Sequence, residues 1–149
     1  MQATSAGVTI RRIAHNAPQQ IIDDLSSLWK LFNQEEMRPA ELAARIERSQ
    51  SEILVAFDLA AKPIGFAAGA SVYTPFHSMA TFELWALFVE SSSRRQGIGT
   101  KLLQEVRELA RSLSCYDIRV SAIPEVAIEN FYAAAGYRLY ASRLRYTFI

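Results

Sequence analysis

Residues Leu87–Leu103, LFVESSSRRQGIGTKLL, decide how this chain is read. The β-branched and aromatic run Phe82–Val89 leads into a polar turn, Glu90–Ser93, and then into Arg94-Arg95-Gln96-Gly97-Ile98-Gly99. A helical pattern follows, with Leu102, Leu103, Val106, Leu109 and Ala110 on one face. Strand, glycine-rich turn and helix start, in that order, make an anion site. The first backbone N–H groups of a helix lack intrahelical partners, and the helix dipole adds positive character there. Glycine tolerates positive φ and puts no side chain between backbone and ligand. A pyrophosphate suits such a place. Taken alone, a Gly-x-Gly before a helix is often only a tight turn. This one is neither a Walker loop nor the full glycine fingerprint of a dinucleotide-binding unit.

Outward from that stretch, periodicity supplies the other elements. Val8–Ile13 alternates as a half-buried strand, and Ile21, Ile22, Leu25, Leu28, Trp29 and Phe32 recur at helical spacing between Pro18 and Phe32. A second helix is predicted to open at Pro39, turning Leu42, Ala43 and Ile46 inward. Ile53–Asp58 and Ile64–Tyr73 read as a hairpin about Ala61-Lys62-Pro63, and Thr81–Val89 as a long strand. After the helix to about Leu113 come a strand at Asp117–Ala122 and a short helix at Ala127–Ala135, stopped by Gly136. Tyr137–Tyr140 and Leu144–Phe148 are predicted to close the sheet. This order predicts one α/β domain of mixed α+β type over residues 1–149, a mixed and mostly antiparallel sheet flanked by helices. The strand–helix–strand unit from Phe82 to Ala122 makes its two strands parallel.

Composition narrows the class. With half its residues apolar and a fifth charged, the chain is globular, and no apolar run is long enough for a membrane span. A formal charge of +1, with basic clusters only at Arg94-Arg95 and Arg143-Leu144-Arg145, gives no footprint for a nucleic acid. One cysteine, Cys115, excludes an internal disulfide and fits a reducing cytoplasm. No metal-ligand set is read from the sequence.

Two motifs together carry a resemblance. Arg94, Gly97 and Gly99, with Val89 five residues before Arg94, resemble motif A of the GNAT superfamily of acyl-CoA-dependent N-acyltransferases. About thirty residues on, Phe131-Tyr132-Ala133-Ala134-Ala135-Gly136-Tyr137 resembles the family's second element. The resemblance implies a GNAT-like fold whose two parallel strands splay apart to admit an acyl-CoA thioester. It also implies acetyl-CoA as co-substrate, its pyrophosphate on the backbone amides of Gln96, Gly97, Ile98, Gly99 and Thr100, assisted by Arg94 and Arg95. Leu87 and Val89 would offer main-chain groups to the pantetheine arm, one N–H serving as oxyanion donor. Glu83, six residues before Val89, matches the catalytic glutamate of the lysine-acetylating branch, and Tyr132 matches the tyrosine near the cofactor sulfur. The family often has an asparagine at the end of the preceding strand; here Pro124-Glu125 stand there, and Asn130 sits beside Phe131 instead.

Each residue has a plainer reading. Arg94 and Arg95 also suit solvated surface, Glu83 a solvent-facing strand end, Tyr132 a packed aromatic, and Asn130 either the pantetheine arm or water. A carboxylate inside Phe82-Glu83-Leu84-Trp85-Ala86-Leu87-Phe88 nevertheless requires a partner or a task. Trp29, Phe32, Tyr73, Phe76, His77 and Trp85 are candidate walls of an acceptor pocket, and Glu35 and Glu36 candidate attractors of a cationic amine. Aromatics at these spacings are more often core, and His77 suits a surface loop. The expected activity is acetyl transfer to a primary amine of a small molecule such as a polyamine, amino acid or aminoglycoside. Protein N-terminal or lysine acetylation, a non-catalytic acyl-CoA-binding regulatory domain and an unrelated nucleotide-binding module are the rivals. Leu144–Ile149, as an apolar edge, would favour a homodimer.

Overall fold

The computed structural model describes residues 7–13, 17–121, 125–141 and 146–148. The chain runs β1 (Thr9–Ile13), α1 (Gln19–Asn33), α2 (Pro39–Ser49), β2 (Glu52–Phe57), β3 (Pro63–Val72), β4 (Ala80–Val89), α3 (Ile98–Ser112), β5 (Cys115–Val120) and α4 (Val126–Ala134), with a 3-10 turn at Ser91–Ser93. Among the described residues the sheet has five strands in sequence order; β1 to β4 pair antiparallel, and α3 returns the chain so that β5 lies parallel to β4. The tight β2–β3 hairpin follows from Asp58, whose Oδ1 accepts the backbone N–H groups of Ala60 and Lys62 at 2.9 Å each.

The helices cover opposite faces. Leu25 and Leu28 of α1 and Leu42 and Ile46 of α2 pack with Ile53, Val55, Phe66, Ala68 and Ala86. On the other side Ile98, Leu102, Leu103, Val106 and Leu109 of α3 pack with Leu54, Ala67, Phe82 and Leu84. Each such buried leucine or isoleucine is worth about 1.5–3 kcal/mol of transfer free energy. Trp29 and Phe32 belong to the first face: Trp29 stacks on Phe66 at 5.8 Å, and Phe32 meets Phe66 and Phe88 at 5.7 and 5.8 Å. Both pack on this face, and Phe32 keeps part of its ring exposed.

Three expectations are corrected. The fifth strand starts at Cys115 and ends at Val120, earlier than Asp117–Ala122, with Ala122 outside the described residues. Tyr137–Tyr140 forms no strand, nor does Tyr146–Phe148; Leu144 and Arg145 lie outside the described residues. Their alternation was suited to a strand, but a strand also requires a partner edge, which local pattern does not supply. The edge on which a homodimer was expected is therefore not formed at Tyr146–Phe148.

The β3–β4 register contains one irregularity. Ala68 faces Ala86 and Gly69 faces Leu84, so Trp85 is an extra residue on β4. It changes the phase of the strand: Phe82 and Leu84 enter the α3-side core before it, Leu87 and Val89 after it. Gly69 sits against this bend, where a Cβ would lie 2.3 Å from the Glu83 carbonyl oxygen and 2.7 Å from the Phe82 ring. Gly69→Ala is expected to destabilise the fold by about 1–3 kcal/mol through overpacking. A fall in the denaturation midpoint at constant m-value would show it; an unchanged midpoint would refute the close approach.

Candidate active site

The parallel rungs between β4 and β5 end at Leu84–Val120, whereas β4 continues to Val89. From Trp85 onward β4 therefore has no β5 partner among the described residues. The predicted splay of the parallel pair falls beyond Val120, where residues 122–124 lie outside the described residues.

The turn after β4 is held by its own side chains. The Glu90 N–H donates to the Ile64 carbonyl at 2.9 Å, and the Glu90 carboxylate accepts the hydroxyls of Ser92 and Ser93 at 3.1 Å each. Arg94 turns back: its Nε donates to the Val89 carbonyl at 2.8 Å, with the guanidinium 5.6 Å from the Phe88 ring centroid. Arg94 thus fixes the loop in addition to placing positive charge beside it, and one main-chain acceptor at Val89 is already engaged. Arg95 and Gly97 both have left-handed backbone, at φ 61° and 76°. At Arg95 this stores roughly 1–3 kcal/mol, a kind of strain that gathers at ligand sites.

Gly97 is the N-cap of α3, no side chain caps the helix, and its first backbone bond runs from Lys101 N–H to the Gly97 carbonyl at 3.0 Å. The amides before Lys101 in the first turn point outward without intrahelical partners. Gln96, Gly97 and Thr100 are exposed, Gly99 is half-buried, and Ile98, only 2% exposed, anchors the turn in the core. These are the features a pyrophosphate needs: unpartnered N–H donors, positive dipole and adjacent arginines. Gly99 has no positive φ. Its role is proximity, since a Cβ there would lie 3.5 Å from the Phe131 ring and 3.8 Å from Leu87 Cδ2.

That contact joins the two sequence motifs. Phe131 and Tyr132 of α4 meet edge to face at 5.1 Å, and Tyr132 meets Tyr137 at 5.5 Å. Both α4 aromatics pack on the α3-side core beside Leu87 and Val89. Burial first, and the Tyr137 phenol second, push the Tyr132 hydroxyl above the ordinary tyrosine range. It stays protonated and able to donate throughout the physiological range. Asn130, next to this pair, is exposed.

Glu83 lies on the other face. It stands between Phe82 and Leu84, which both enter the α3-side core, so alternation turns its half-buried side chain toward the α1 and α2 side. Its register partner on β5 is Arg119, one rung before the last. The structure thus brings Gly97, Gly99, Leu87, Val89 and Tyr132 together on one face, and sets Glu83 across the sheet. Sequence reading missed Tyr116, Asp117 and Arg119. Arg119 Nε donates to Asp117 Oδ2 at 3.1 Å and its Nη2 to the Tyr116 hydroxyl at 2.6 Å. His77 stacks on Tyr116 at 4.8 Å, which places the loop before β4 beside β5. The alternation of polar Asp117 and Arg119 with apolar Ile118 and Val120 is the signal that was available. Of the other candidates, Glu36 is a surface partner of Lys30 at 2.6 Å, whose ammonium holds its carboxyl below the usual range. Tyr73 and Phe76 are exposed, and Trp85 remains 51% exposed at the bulge.

The sequence matches the acetyltransferase (GNAT) family over residues 19–139, and the chain belongs to that family. No curated protein matches it at the sequence level. Its backbone is similar to that of an aminoglycoside acetyltransferase from an uncultured soil metagenomic sample, solved with sisomicin, at a TM-score of 0.81 and 18% identity over 95% of this chain and 97% of that one. It is similar to a ribosomal-protein-alanine N-acetyltransferase from Brucella melitensis at 0.80 and 15%, over 95% and 100%. An acetyltransferase from Trypanosoma brucei gives 0.80 and 18%, over 95% and 99%. At these identities the likeness concerns the fold, and the acceptors named for these proteins differ.

Tyr132→Phe is expected to lower kcat by about 10²–10⁴-fold while leaving acetyl-CoA affinity within about twofold. Because the phenol titrates above its usual value of about 10, the alkaline limb it contributes to kcat should lie above that pH and vanish in the variant. Equal losses in turnover and affinity would reduce Tyr132 to a packing residue.

Proposed function

We propose that this chain transfers an acetyl group from acetyl-CoA directly to a primary amine of a small molecule. One observation carries the reading: an uncapped helix start, a half-buried proton-donating tyrosine and the end of β4 beyond its last β5 rung lie on one face of the sheet, with a carboxylate on the other face.

The site residues divide the chemistry by position. The amides from Gln96 to Thr100, with Arg94 and Arg95, hold the pyrophosphate of the substrate. The unpaired edge of β4 about Leu87 and Val89 lines the pantetheine arm and directs an N–H at the thioester oxygen, a contribution of about 3 kcal/mol where such donors have been removed. An alkyl ammonium has a pKa near 10.4, so at neutral pH it must lose a proton before attack. Glu83 receives that proton, directly or through water. The amine nitrogen then bonds to the carbonyl carbon and loses its surplus proton as the carbon–sulfur bond breaks; Tyr132 gives its proton to the departing thiolate and regains one, through water, from that nitrogen. The Cys115 thiol lies 3.5 Å from the Ser71 hydroxyl, and it has no part in this scheme; the transfer needs no acyl-enzyme. Among the described residues no helix is long and apolar enough to cross a membrane. We place the reaction in the reducing cytoplasm, where a chain with a single cysteine is at home.

Isothermal titration with acetyl-CoA, followed by thiol release over polyamines, amino acids, aminoglycosides and lysine peptides, tests the proposal. Binding with release from a small amine supports it. Release only from peptides would move the acceptor to proteins, and binding without release from any amine would favour a regulatory acyl-CoA-binding domain.

Gly97→Glu should abolish acetyl-CoA binding while the domain stays folded, although a non-glycine residue at φ 76° costs roughly 1–3 kcal/mol. Gly97→Ala carries the same backbone strain without the charge and should retain measurable affinity; identical behaviour of the two would refute the phosphate assignment. Glu83→Gln should lower turnover by about 10²–10⁴-fold at neutral pH. The deficit should shrink as pH approaches the amine's own pKa, and a pH-independent deficit would remove Glu83 as the base.

A further inference from the structure

Among the described residues, Arg119 is the guanidinium in register with Glu83, on the face where the proposed reading brings the acceptor amine. Ile118 and Val120 enter the α3-side core, so Arg119 projects from the opposite face, as Glu83 does. Neighbouring strands lie roughly 4.8 Å apart, a spacing on the scale of an amine and a carboxylate in one small molecule. The guanidinium is fixed in orientation on several sides. Asp117 takes its Nε, the Tyr116 hydroxyl takes its Nη2, and the rings of Tyr140 and Tyr116 lie 5.2 and 6.0 Å from its carbon. Those bonds engage two of the donors in a fork that carries five. The side chain is 29% exposed, so its pairing with Asp117 adds little to stability. A fork held in place with donors to spare suits planar anion recognition.

We propose that Arg119 sets acceptor specificity by binding a carboxylate, so that the acceptor is an amino acid whose amine is delivered to Glu83. This rests on the acetyl-transfer reading above and narrows its substrate class. Amine reactivity works against such a preference. The amine of an amino-acid amide is less basic than that of the parent acid, so more of it is deprotonated at neutral pH, and chemistry alone favours the amide.

The test is thiol release from acetyl-CoA with matched pairs: each common α-amino acid, β-alanine and γ-aminobutyrate against its primary carboxamide. Wild type, Arg119→Gln and Arg119→Lys are compared, and acetyl-CoA titration of all three reports whether the fold is intact. The acid of at least one pair should exceed its amide in kcat/KM by about ten- to a hundredfold, mainly through KM, the worth of a charge-assisted hydrogen bond. Arg119→Gln should collapse that ratio, and Arg119→Lys, which keeps the charge but not the fork, should restore part of it. Amides used as well as acids, a ratio that survives Arg119→Gln, or no release from any pair while acetyl-CoA binds would each overturn this inference alone. Failure of the wild type to bind acetyl-CoA would overturn the acetyl-transfer reading and this inference with it.

Discussion

Strand β4 supplies side chains to two hydrophobic cores at once, and the extra residue at Trp85 controls which core each side chain enters. Before the bulge, Phe82 and Leu84 pack under α3; after it, Leu87 and Val89 do so while Ala86 and Phe88 serve the other face. A strand of strict period two would have reversed the second half and turned Leu87 away from Gly99. Pairing with β5 ends where the bend begins. One inserted residue therefore aligns the strand with the helix start and coincides with the end of that pairing.

The sheet divides the work between two environments. On the α3 side the groups offered are mainly backbone: unpartnered amides, the helix dipole and a loop braced by Glu90 and Arg94. Such groups need little reorganisation when charge arrives, because packing of Ile98 and Leu102 already holds them. On the α1 and α2 side the groups are side chains on neighbouring strands, Glu83 on β4 and Tyr116, Asp117 and Arg119 on β5. These positions can change without disturbing the backbone to which we assign the phosphate. That is the physical ground for a fold shared with an aminoglycoside acetyltransferase and a ribosomal-protein-alanine acetyltransferase at under 20% identity.

Local signals read well from sequence because they depend on near neighbours. The helices at Gln19–Asn33 and Ile98–Ser112 follow from apolar spacing, the α2 start from Pro39, and the end of α4 from Gly136 at φ 89°. The glycine turn was legible for the same reason, and its pairing with Phe131-Tyr132 was legible from motif order. The bulge at Trp85 was not, since alternation within one strand carries no information about the partner's register. Nor was the irregular course of Tyr137–Tyr140, whose pattern suits a strand. The role of Arg94 as a brace on Val89, in place of a simple surface charge, also depends on where the loop turns.

By itself the sequence determined the mixed α/β class, the order of its elements through α4, and a glycine-led helix start next to a tyrosine-bearing helix. These are consequences of periodicity, backbone freedom at glycine and residue chemistry. Only the tertiary structure decided that Glu83 and Tyr132 lie on opposite faces of the sheet and that Arg119 stands in register with Glu83. Facing and register are set by strand pairing between segments more than thirty residues apart, and no local pattern in the chain encodes them.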